Sequence, residues 1–332
     1  MSKKILLIGA GRWGTNHLKS WLSLGVELYV AEASEALLEK CRAAGVPSER
    51  LSKNHRDFLP LVDGVDVVTP VETHFPLGSE ALEMGKDLFL EKPLTDKTST
   101  SRRLVELAKA KGRILQVGHV FRYEQPTQHV RRLMESGELG KIRWIRGNFS
   151  AFKRPRADSG TAMADGVHFV DLFNYLLGSQ PDRVQARLLD ILGRGGDFDD
   201  QAWIWLDYGG VFGAIETGCF SPRKTRDVLV VGDRKTVWLD YMAKQEKVKV
   251  FANTHRMEKG QWQAVEGEVQ SMDFPPEEPL KAELKAFMES MQTRSRPLVD
   301  GEAGAAAVHV VEALMASHRK GAPVEMSCFA GS

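Results

Sequence analysis

The chain has 332 residues, a length that favours two domains over one. Its 45 Lys and Arg residues balance 44 Asp and Glu residues, and the net charge of +1 argues against nucleic acid or a membrane surface as a partner. Its three cysteines are far apart, which predicts neither a disulfide framework nor a metal site, and no apolar run approaches the ~20 residues of a membrane span. The sequence therefore predicts a soluble cytoplasmic protein.

The amino-terminal residues predict a strand, a glycine-rich turn and a helix in direct succession. Ile5–Ile8 is a compact β-prone run, and Gly9–Gly14 reads Gly-Ala-Gly-Arg-Trp-Gly before apolar residues recur at helical spacing. In this context a G-x-G-x-x-G pattern is typical of dinucleotide binding. Gly9 permits the tight turn, Gly11 lets a pyrophosphate approach the backbone, and Gly14 lets the helix pack closely on the strand. The alternative is a glycine turn without a cofactor.

An acidic residue follows the second predicted strand. Val26–Ala31 is that strand, and Glu32 comes directly after it, roughly 20 residues past the glycines. A carboxylate there can accept hydrogen bonds from ribose hydroxyls and would repel a 2′-phosphate, so the sequence favours NAD over NADP. The alternative is a solvated acid.

The alternation of strands and helices continues to residue 118 and predicts a doubly wound parallel sheet. The elements after Glu32 include a helix over Leu37–Ala44, a strand over Val65–Val68 that ends at Thr69 and Pro70, a helix that begins near His74, a helix marked by Leu104, Leu107 and Ala108, and a strand over Ile114–Gly118. Thr69 and Pro70 would lie at the carboxyl edge of the sheet, where ligands bind. His74 as a loop or N-cap residue is the alternative.

A central strand places an acid and a base at the same edge. Leu88–Leu90 is apolar, Glu91 and Lys92 follow, and Pro93 disfavours continuation of the strand. A lysine in that position can serve as a charge clamp or a proton relay, or it can be a surface residue beside a turn.

The carboxyl-terminal half shows β alternation separated by Gly, Pro and Asp turns. The predicted strands are 142–152, 184–192, 201–208, 211–217, 228–232, 236–241, 247–251 and 268–274, with helices near 280–291 and 303–320. They predict an α+β domain with a large open antiparallel sheet, one face of which is covered by helices. The other face could bind a partner subunit, which makes a homo-oligomer, dimer or tetramer, plausible. Arg194–Asp200 is predicted to be an exposed loop.

One helix in this half carries a histidine between two acids. Val167–Leu177 predicts the helix, His168 lies in its first turn, and Asp165 and Asp171 stand three residues on either side. A carboxylate beside a histidine raises its basicity and orients its ring. The alternative is a capping Asp165 and a satisfied core histidine.

Together these motifs resemble the Gfo/Idh/MocA oxidoreductases. The resemblance is carried by Gly9–Gly14, Val67–His74, Glu91–Pro93 and Gly160–Asp171, and it spans nearly the whole chain. It implies a Rossmann domain over 1–120, a substrate-binding and oligomerisation domain over 121–332, and NAD(P)-dependent oxidation or reduction at a sugar or cyclitol carbon.

The resemblance also implies roles for individual residues. Lys92 and His168 are the expected catalytic pair, with Asp165 as the acid beside the histidine. The expected cofactor contacts are Gly9, Gly11, Arg12, Trp13, Gly14, Glu32, Thr69, Pro70, His74, Glu91 and Lys92. The expected substrate contacts are Lys92, Arg122, Tyr123, Asp165 and His168.

One position departs from the family pattern. The family often has an aspartate four residues before the histidine, where this chain has Ala164, so either Asp165 replaces it or the acid partner is missing. Residues 11–17 and the segments 278–284 and 296–302 resemble members acting on nucleotide-linked amino sugars, such as a UDP-N-acetylhexosamine. A free-sugar or inositol dehydrogenase, and a non-catalytic regulatory protein that binds NAD and a sugar, remain alternatives.

Overall fold

A computed structural model of the chain describes residues 3–156, 159–195, 198–276 and 278–331. Up to residue 118, strands and helices alternate as the sequence predicts, except for a short strand over Leu51–Ser52 that was not predicted and that no α-helix separates from the next strand. The strands are β1 (Lys4–Ile8), β2 (Glu27–Ala31), β3 (Leu51–Ser52), β4 (Gly64–Val67), β5 (Asp87–Glu91) and β6 (Leu115–Gly118). The helices are α1 (Gly14–Leu24), α2 (Glu35–Ala43), α3 (His74–Glu83) and α4 (Thr98–Ala110).

The six strands form one parallel sheet in the order β3-β2-β1-β4-β5-β6, which confirms the predicted doubly wound fold. β1 is buried on both faces because Leu6 and Ile8 belong to one hydrophobic cluster and Ile5 and Leu7 to the other. The strand order reverses between β1 and β4. Ligands bind at such a reversal, outside the carboxyl ends of the strands.

Strands dominate the chain beyond residue 140. They are β7 (Ile142–Phe152), β8 (Arg183–Leu189), β9 (Gln201–Asp207), β10 (Phe212–Gly218), β11 (Phe220–Gly232), β12 (Thr236–Asp240), β13 (Val248–Phe251), β14 (Thr254–Glu258), β15 (Gln261–Val265), β16 (Val269–Met272) and β17 (Val324–Glu325). The helices are α5 (Gln125–Glu135), α6 (Val167–Leu177), α7 (Pro279–Thr293) and α8 (Gly301–Lys320).

Nine of these strands form a second sheet in the order β16-β13-β12-β11-β7-β10-β9-β8-β17. Neighbouring strands are antiparallel except for β7 and β10, which run parallel, so the prediction of a large, mainly antiparallel sheet is confirmed. Alternate residues of β7 show the two faces: Ile145 and Phe149 are buried, and Phe149 packs against Phe169 of α6, whereas Trp144 and Phe152 on the other face are exposed.

The described residues form two compact units: 3–123 with 278–308, and 124–276 with 309–331 apart from the gaps named above. The sequence predicted a single boundary near residue 120, but the segment 278–308 belongs to the first unit. The cause is the apolar face of α7, where Leu284 and Phe287 join the core beside β1 and β5. Phe287 packs edge-on against Phe89, with ring centroids 5.8 Å apart.

Candidate active site

The turn after β1 has the shape of a dinucleotide cradle. Gly9 has φ +95°, and a Cβ at this position would lie 2.8 Å from the carbonyl oxygen of Val68. A Cβ on Gly14 would overlap the carbonyl oxygen of Gly9. A Cβ on Gly11, by contrast, would meet no described atom within 4 Å, so open space adjoins the backbone there. The turn therefore excludes side chains where it packs and leaves room where a pyrophosphate would approach.

Glu32 bonds to the glycine-rich turn. One carboxylate oxygen accepts a hydrogen bond from the Ala10 N–H at 2.8 Å and the other accepts one from the Ser34 N–H at 2.9 Å. A carboxylate oxygen has about two acceptor sites, so each oxygen keeps capacity for a ribose hydroxyl. The arrangement fits the ribose contact expected from the sequence.

His74 contacts both chain segments that follow β4 and β5. One ring nitrogen lies 3.0 Å from the carbonyl oxygen of Pro93, and the other lies 2.9 Å from that of Thr69. Burial lowers the pKa of His74, and the hydrogen bonds to these carbonyls oppose that change. The ring is 1% exposed and supports the backbone beside Lys92 and Pro70, and its expected contact with the cofactor stays a prediction.

Glu91 accepts three hydrogen bonds at the end of β5. One carboxylate oxygen accepts from the Trp13 indole N–H at 2.7 Å and lies 3.1 Å from His17 Nε2, and the other accepts from the Lys92 N–H at 3.0 Å. Burial would raise the pKa of Glu91, but bonding to His17 and the charges of His17 and Lys92 hold it below its usual range. Glu91 thus connects the glycine-rich turn to the segment that carries Lys92.

The interior of this network was not predicted from the sequence. His17 Nδ1 lies 2.8 Å from Asp66, which also accepts a hydrogen bond from the Trp21 indole at 2.6 Å. Burial opposes the charged imidazole, but Asp66 and Glu91 together raise the pKa of His17 to about 10. A protonated His17 therefore joins two buried carboxylates, one on β4 and one on β5.

The remaining residues expected in the first unit occupy different surroundings. Arg12 and Trp13 are exposed in the turn, and Lys92 is partly buried directly after β5. Arg122 and Tyr123, the expected substrate contacts, are 8% and 6% exposed in a 3-10 turn, Val120–Tyr123.

The second unit places His168 in the first turn of α6, as the sequence predicts. A π-helix over Ala162–Gly166 precedes it directly. Such insertions are frequent at functional sites. The imidazole stacks on the ring of Phe149, with centroids 5.6 Å apart and planes 11° from parallel.

Asp165 has a basic partner in the described structure. Its carboxylate forms an ion pair with Lys153, which lies beside the Phe149 ring. Ala164 is buried at the position where the family often has the acid. Lys153 is thus a partner that the structure shows for Asp165, and the role of Asp165 beside His168 stays a prediction.

The prediction of an exposed loop over Arg194–Asp200 is wrong at its end, and its residues 196 and 197 lie outside the described ones. Asp199 is 5% exposed, and it accepts hydrogen bonds from Thr161 Oγ1 at 2.5 Å and from the Ala162 N–H at 2.9 Å. Burial raises the pKa of Asp199, and these two bonds oppose the rise. The loop turns inward because Asp199 holds the start of the π-helix. Asp200 is also buried.

Two other properties concern the described residues as a whole. None of their helices is long and apolar enough to cross a membrane. Within the same residues, no group of three or more His, Cys, Asp or Glu side chains could hold a metal ion.

Comparison with known families assigns both halves of the chain. The family model described as "Oxidoreductase family, NAD-binding Rossmann fold" matches residues 3–119, and that described as "GFO/IDH/MocA C-terminal domain" matches residues 127–238. The chain belongs to the Gfo/Idh/MocA oxidoreductase family.

Individual relatives of this Gfo/Idh/MocA chain bear the names of dehydrogenases. The chain is 28% identical over 344 residues to the scyllo-inositol 2-dehydrogenase (NAD(+)) of Bacillus subtilis, covering 96% of this chain and 95% of that one. It is 25% identical over 304 residues to the UDP-N-acetylglucosamine 3-dehydrogenase of Acidithiobacillus ferrooxidans, covering 90% and 91%. The crystal structure of a probable dehydrogenase from Thermotoga maritima matches with a TM-score of 0.82 at 21% identity, covering 98% and 99%, which shows a shared fold.

NAD is the cofactor of this fold family, and the first unit fits it. The fit depends on the open backbone at Gly11, the helix α1 that begins at Gly14, and the free acceptor capacity of Glu32. These residues would hold the pyrophosphate and a ribose.

Proposed function

We propose that this oxidoreductase transfers hydride between NAD and a CH–OH carbon of a sugar, and that its substrate is a nucleotide sugar of the UDP-N-acetylhexosamine type. The observation that carries the proposal is the bonding of Glu91 to both sides of the site. Glu91 accepts from Trp13 in the glycine-rich turn and from the backbone N–H of Lys92. The backbone that carries the Lys92 side chain is thereby fixed beside the dinucleotide turn.

The chemistry requires a base and a group that stabilises charge on oxygen. When bound, NAD⁺ accepts the hydride. In the oxidation we propose that His168, as a neutral imidazole, accepts the hydroxyl proton, and that the Lys92 ammonium hydrogen-bonds the same oxygen. The lysine stabilises the negative charge that develops on that oxygen. Glu91 and His74 act on Lys92 through the backbone and are positioning residues.

The cofactor preference follows from Glu32. Its two backbone bonds hold the carboxylate in place, so a 2′-phosphate could not displace it without breaking them. We therefore propose NAD over NADP as the working cofactor.

A second candidate function is a free-sugar or inositol dehydrogenase. It is favoured by the scyllo-inositol enzyme, which aligns over 96% of this chain. A regulatory protein that binds NAD and a sugar without turnover is a third candidate, and the presence of both Lys92 and His168 disfavours it.

We also propose that the open face of the second sheet binds a second copy of the chain. Its exposed side chains include Trp203, Trp205 and Phe212 on β9 and β10, beside Trp144 of β7. Contiguous apolar surface of this kind marks association sites. Light scattering after gel filtration tests this directly: a Trp205→Glu variant should elute as a smaller species, and a wild-type monomer would contradict the proposal.

The test of the activity is a panel of inositols, free sugars and UDP-sugars, each mixed with NAD⁺ and followed by NADH absorbance. Lys92→Met should lower kcat on the active substrate by about 10³-fold while NADH still binds. The matched control is Lys97→Met, because Lys97 is an exposed lysine five residues further on. Near-normal turnover by the Lys92 variant would remove this residue from the mechanism, and NADH binding without any turnover would favour the regulatory protein.

A further inference from the structure

Asp199 lies in the connection between β8 and β9 and bonds to the segment that precedes α6. One carboxylate oxygen accepts hydrogen bonds from Thr161 Oγ1 at 2.5 Å and from the Ala162 N–H at 2.9 Å. The Asp199 carbonyl accepts the Thr161 N–H at 2.9 Å. A Cβ on Gly160 would overlap the Asp199 carboxylate, so the two segments pack without room for a side chain. Asp199 therefore fixes residues 160–162 against the loop.

The start of the π-helix takes its hydrogen-bond acceptor from this loop. Thr161 stands at the N-cap position, where a threonine hydroxyl commonly accepts a backbone N–H, but its side chain makes no capping bond. The hydroxyl donates to Asp199 instead. The first N–H groups of a helix lack partners within the helix, and Asp199, 37 residues away in the chain, supplies the acceptor for Ala162. Loss of the carboxylate would remove that acceptor from the π-helix.

The peptide groups of Ala162 connect Asp199 to the turn that carries His168. The Ala162 N–H donates to Asp199, and the Ala162 carbonyl accepts the N–H of Val167 across the π-helix. His168 is the next residue, in the first turn of α6, and its ring stacks on Phe149 with centroids 5.6 Å apart. Two hydrogen bonds in series thus join a buried carboxylate to the residue directly before the proposed base.

We infer that Asp199 is a positioning residue for His168, which it holds in the orientation needed to accept the proton of the substrate hydroxyl. This inference rests on the proposed dehydrogenase function, and it gives the loop between β8 and β9 a part in the reaction. Misplacement of a reacting group by about 1 Å costs about 10²-fold in rate, so a residue outside the reaction can control kcat. Asp199 acts as a hydrogen-bond acceptor and not as a charge, because its carboxylate contacts a hydroxyl and a peptide N–H.

The first experiment measures kcat and KM on the active sugar, with kcat expressed per NADH-binding site so that unfolded protein does not contribute. Asp199→Ala should lower kcat by about 10²-fold and leave KM for NAD⁺ within about 2-fold, because the expected cofactor contacts lie in the first unit. Asp199→Asn keeps an oxygen that can accept both bonds and should retain kcat within about 3-fold.

The matched control is Asp190→Ala, in the same loop. Asp190 accepts hydrogen bonds from the N–H groups of Arg194 at 2.9 Å and Gly195 at 2.7 Å, so its replacement removes loop contacts but not those from Asp199 to the π-helix. Its kcat should equal that of the wild type. If Asp199→Ala does not fold, Thr161→Val removes the hydroxyl bond alone and should lower kcat by about 10-fold, with Thr161→Ser restoring it.

The second experiment observes His168 without turnover. The Phe149 ring lies 11° from parallel to the imidazole, so its ring current shifts the NMR resonance of the His168 Cε1 proton. The resonance is assigned by its absence from His168→Asn. Asp199→Ala should move this resonance, whereas Asp199→Asn and Asp190→Ala should leave it in place.

Three results overturn the inference while the proposed function stands. The first is a wild-type kcat per site in Asp199→Ala, or in Thr161→Val where that variant replaces it. The second is an equal loss in Asp199→Ala and Asp199→Asn, which would assign the effect to the charge. The third is the same loss in Asp190→Ala, which would assign it to the whole loop. If the wild type turns over none of the sugars, the proposed function fails and the His168 resonance decides alone: an unmoved resonance in the variant that lacks the bond overturns the inference.

Discussion

Replacement of the buried imidazole at position 17 should lower the free energy of unfolding by an amount that depends on pH. Asp66 and Glu91 raise the pKa of His17 from 6.5 to about 10. At about 1.4 kcal/mol per pH unit, this stabilises the folded chain by about 5 kcal/mol when the ring is protonated. The lowered pKa of Glu91 reports the same contact, so it adds nothing further. A folded-state pKa above the unfolded value means that the stabilisation is complete below about pH 6.5 and is lost as the pH rises through about 10.

His17→Gln should therefore lower the free energy of unfolding by about 3–5 kcal/mol at pH 7, the usual cost of breaking a buried ion pair. The difference from the wild type should shrink by about 1.4 kcal/mol per pH unit above pH 7 and nearly vanish at about pH 10. Urea unfolding followed by tryptophan fluorescence measures both proteins over this range. His255→Gln, at an exposed position on β14, is the control and should show no such trend. A His17 difference independent of pH would refute the charged imidazole.

Two further predictions concern the cofactor and the missing acid. Glu32→Ala should raise kcat/KM for NADP⁺ relative to NAD⁺ by about 10-fold, because the repulsion of the 2′-phosphate is removed. An unchanged ratio would mean that other residues bind the ribose. Ala164→Asp places a carboxylate one helical turn before His168 and should move the acid limb of the pH–rate profile upward by about one pH unit, since a nearby anion favours the imidazolium. An unchanged profile in a folded variant would show that position 164 does not influence the base.

The cofactor turn was predictable because its signals are local in the chain. The strand before Gly9, the glycine spacing and the acid at Glu32 all lie within about 30 residues, the length of one βαβ unit. The strand-ending effect of Pro93 is also local, and β5 ends at Glu91.

The His17 network was not predicted because its members come from three separate segments. The sequence does contain a signal for it. Asp66 interrupts an apolar strand, and His17 shares the buried face of α1 with Gly14, Leu18 and Trp21. Buried acids need partners, and a histidine on an apolar helix face is a candidate. Which acid meets which base depends on the order of strands in the sheet, and local patterns do not determine that order.

Two features of the structure were not predicted from the sequence. The predicted boundary near residue 120 places α7 in the second domain, whereas α7 belongs to the first unit. The sequence of an amphipathic helix does not indicate which sheet the helix packs against. The hairpin of β14 and β15 was overlooked because both strands are exposed and lack alternation of apolar residues. Lys259 and Gly260 both have positive φ, as a two-residue hairpin turn requires. The glycine at position 260 is the signal for this turn that the sequence contains.

The most direct test of the central claim is a double-mutant cycle on Lys92 and His168. In the proposed mechanism both side chains act on one oxygen in one transition state. Lys92→Met and His168→Asn should each lower kcat/KM on the active sugar by about 10²- to 10⁴-fold. The kcat/KM of the double variant should then be only slightly below that of the less active single variant, because the effects of groups that act as a unit are not additive. A double variant whose loss equals the product of the two single losses would contradict the account.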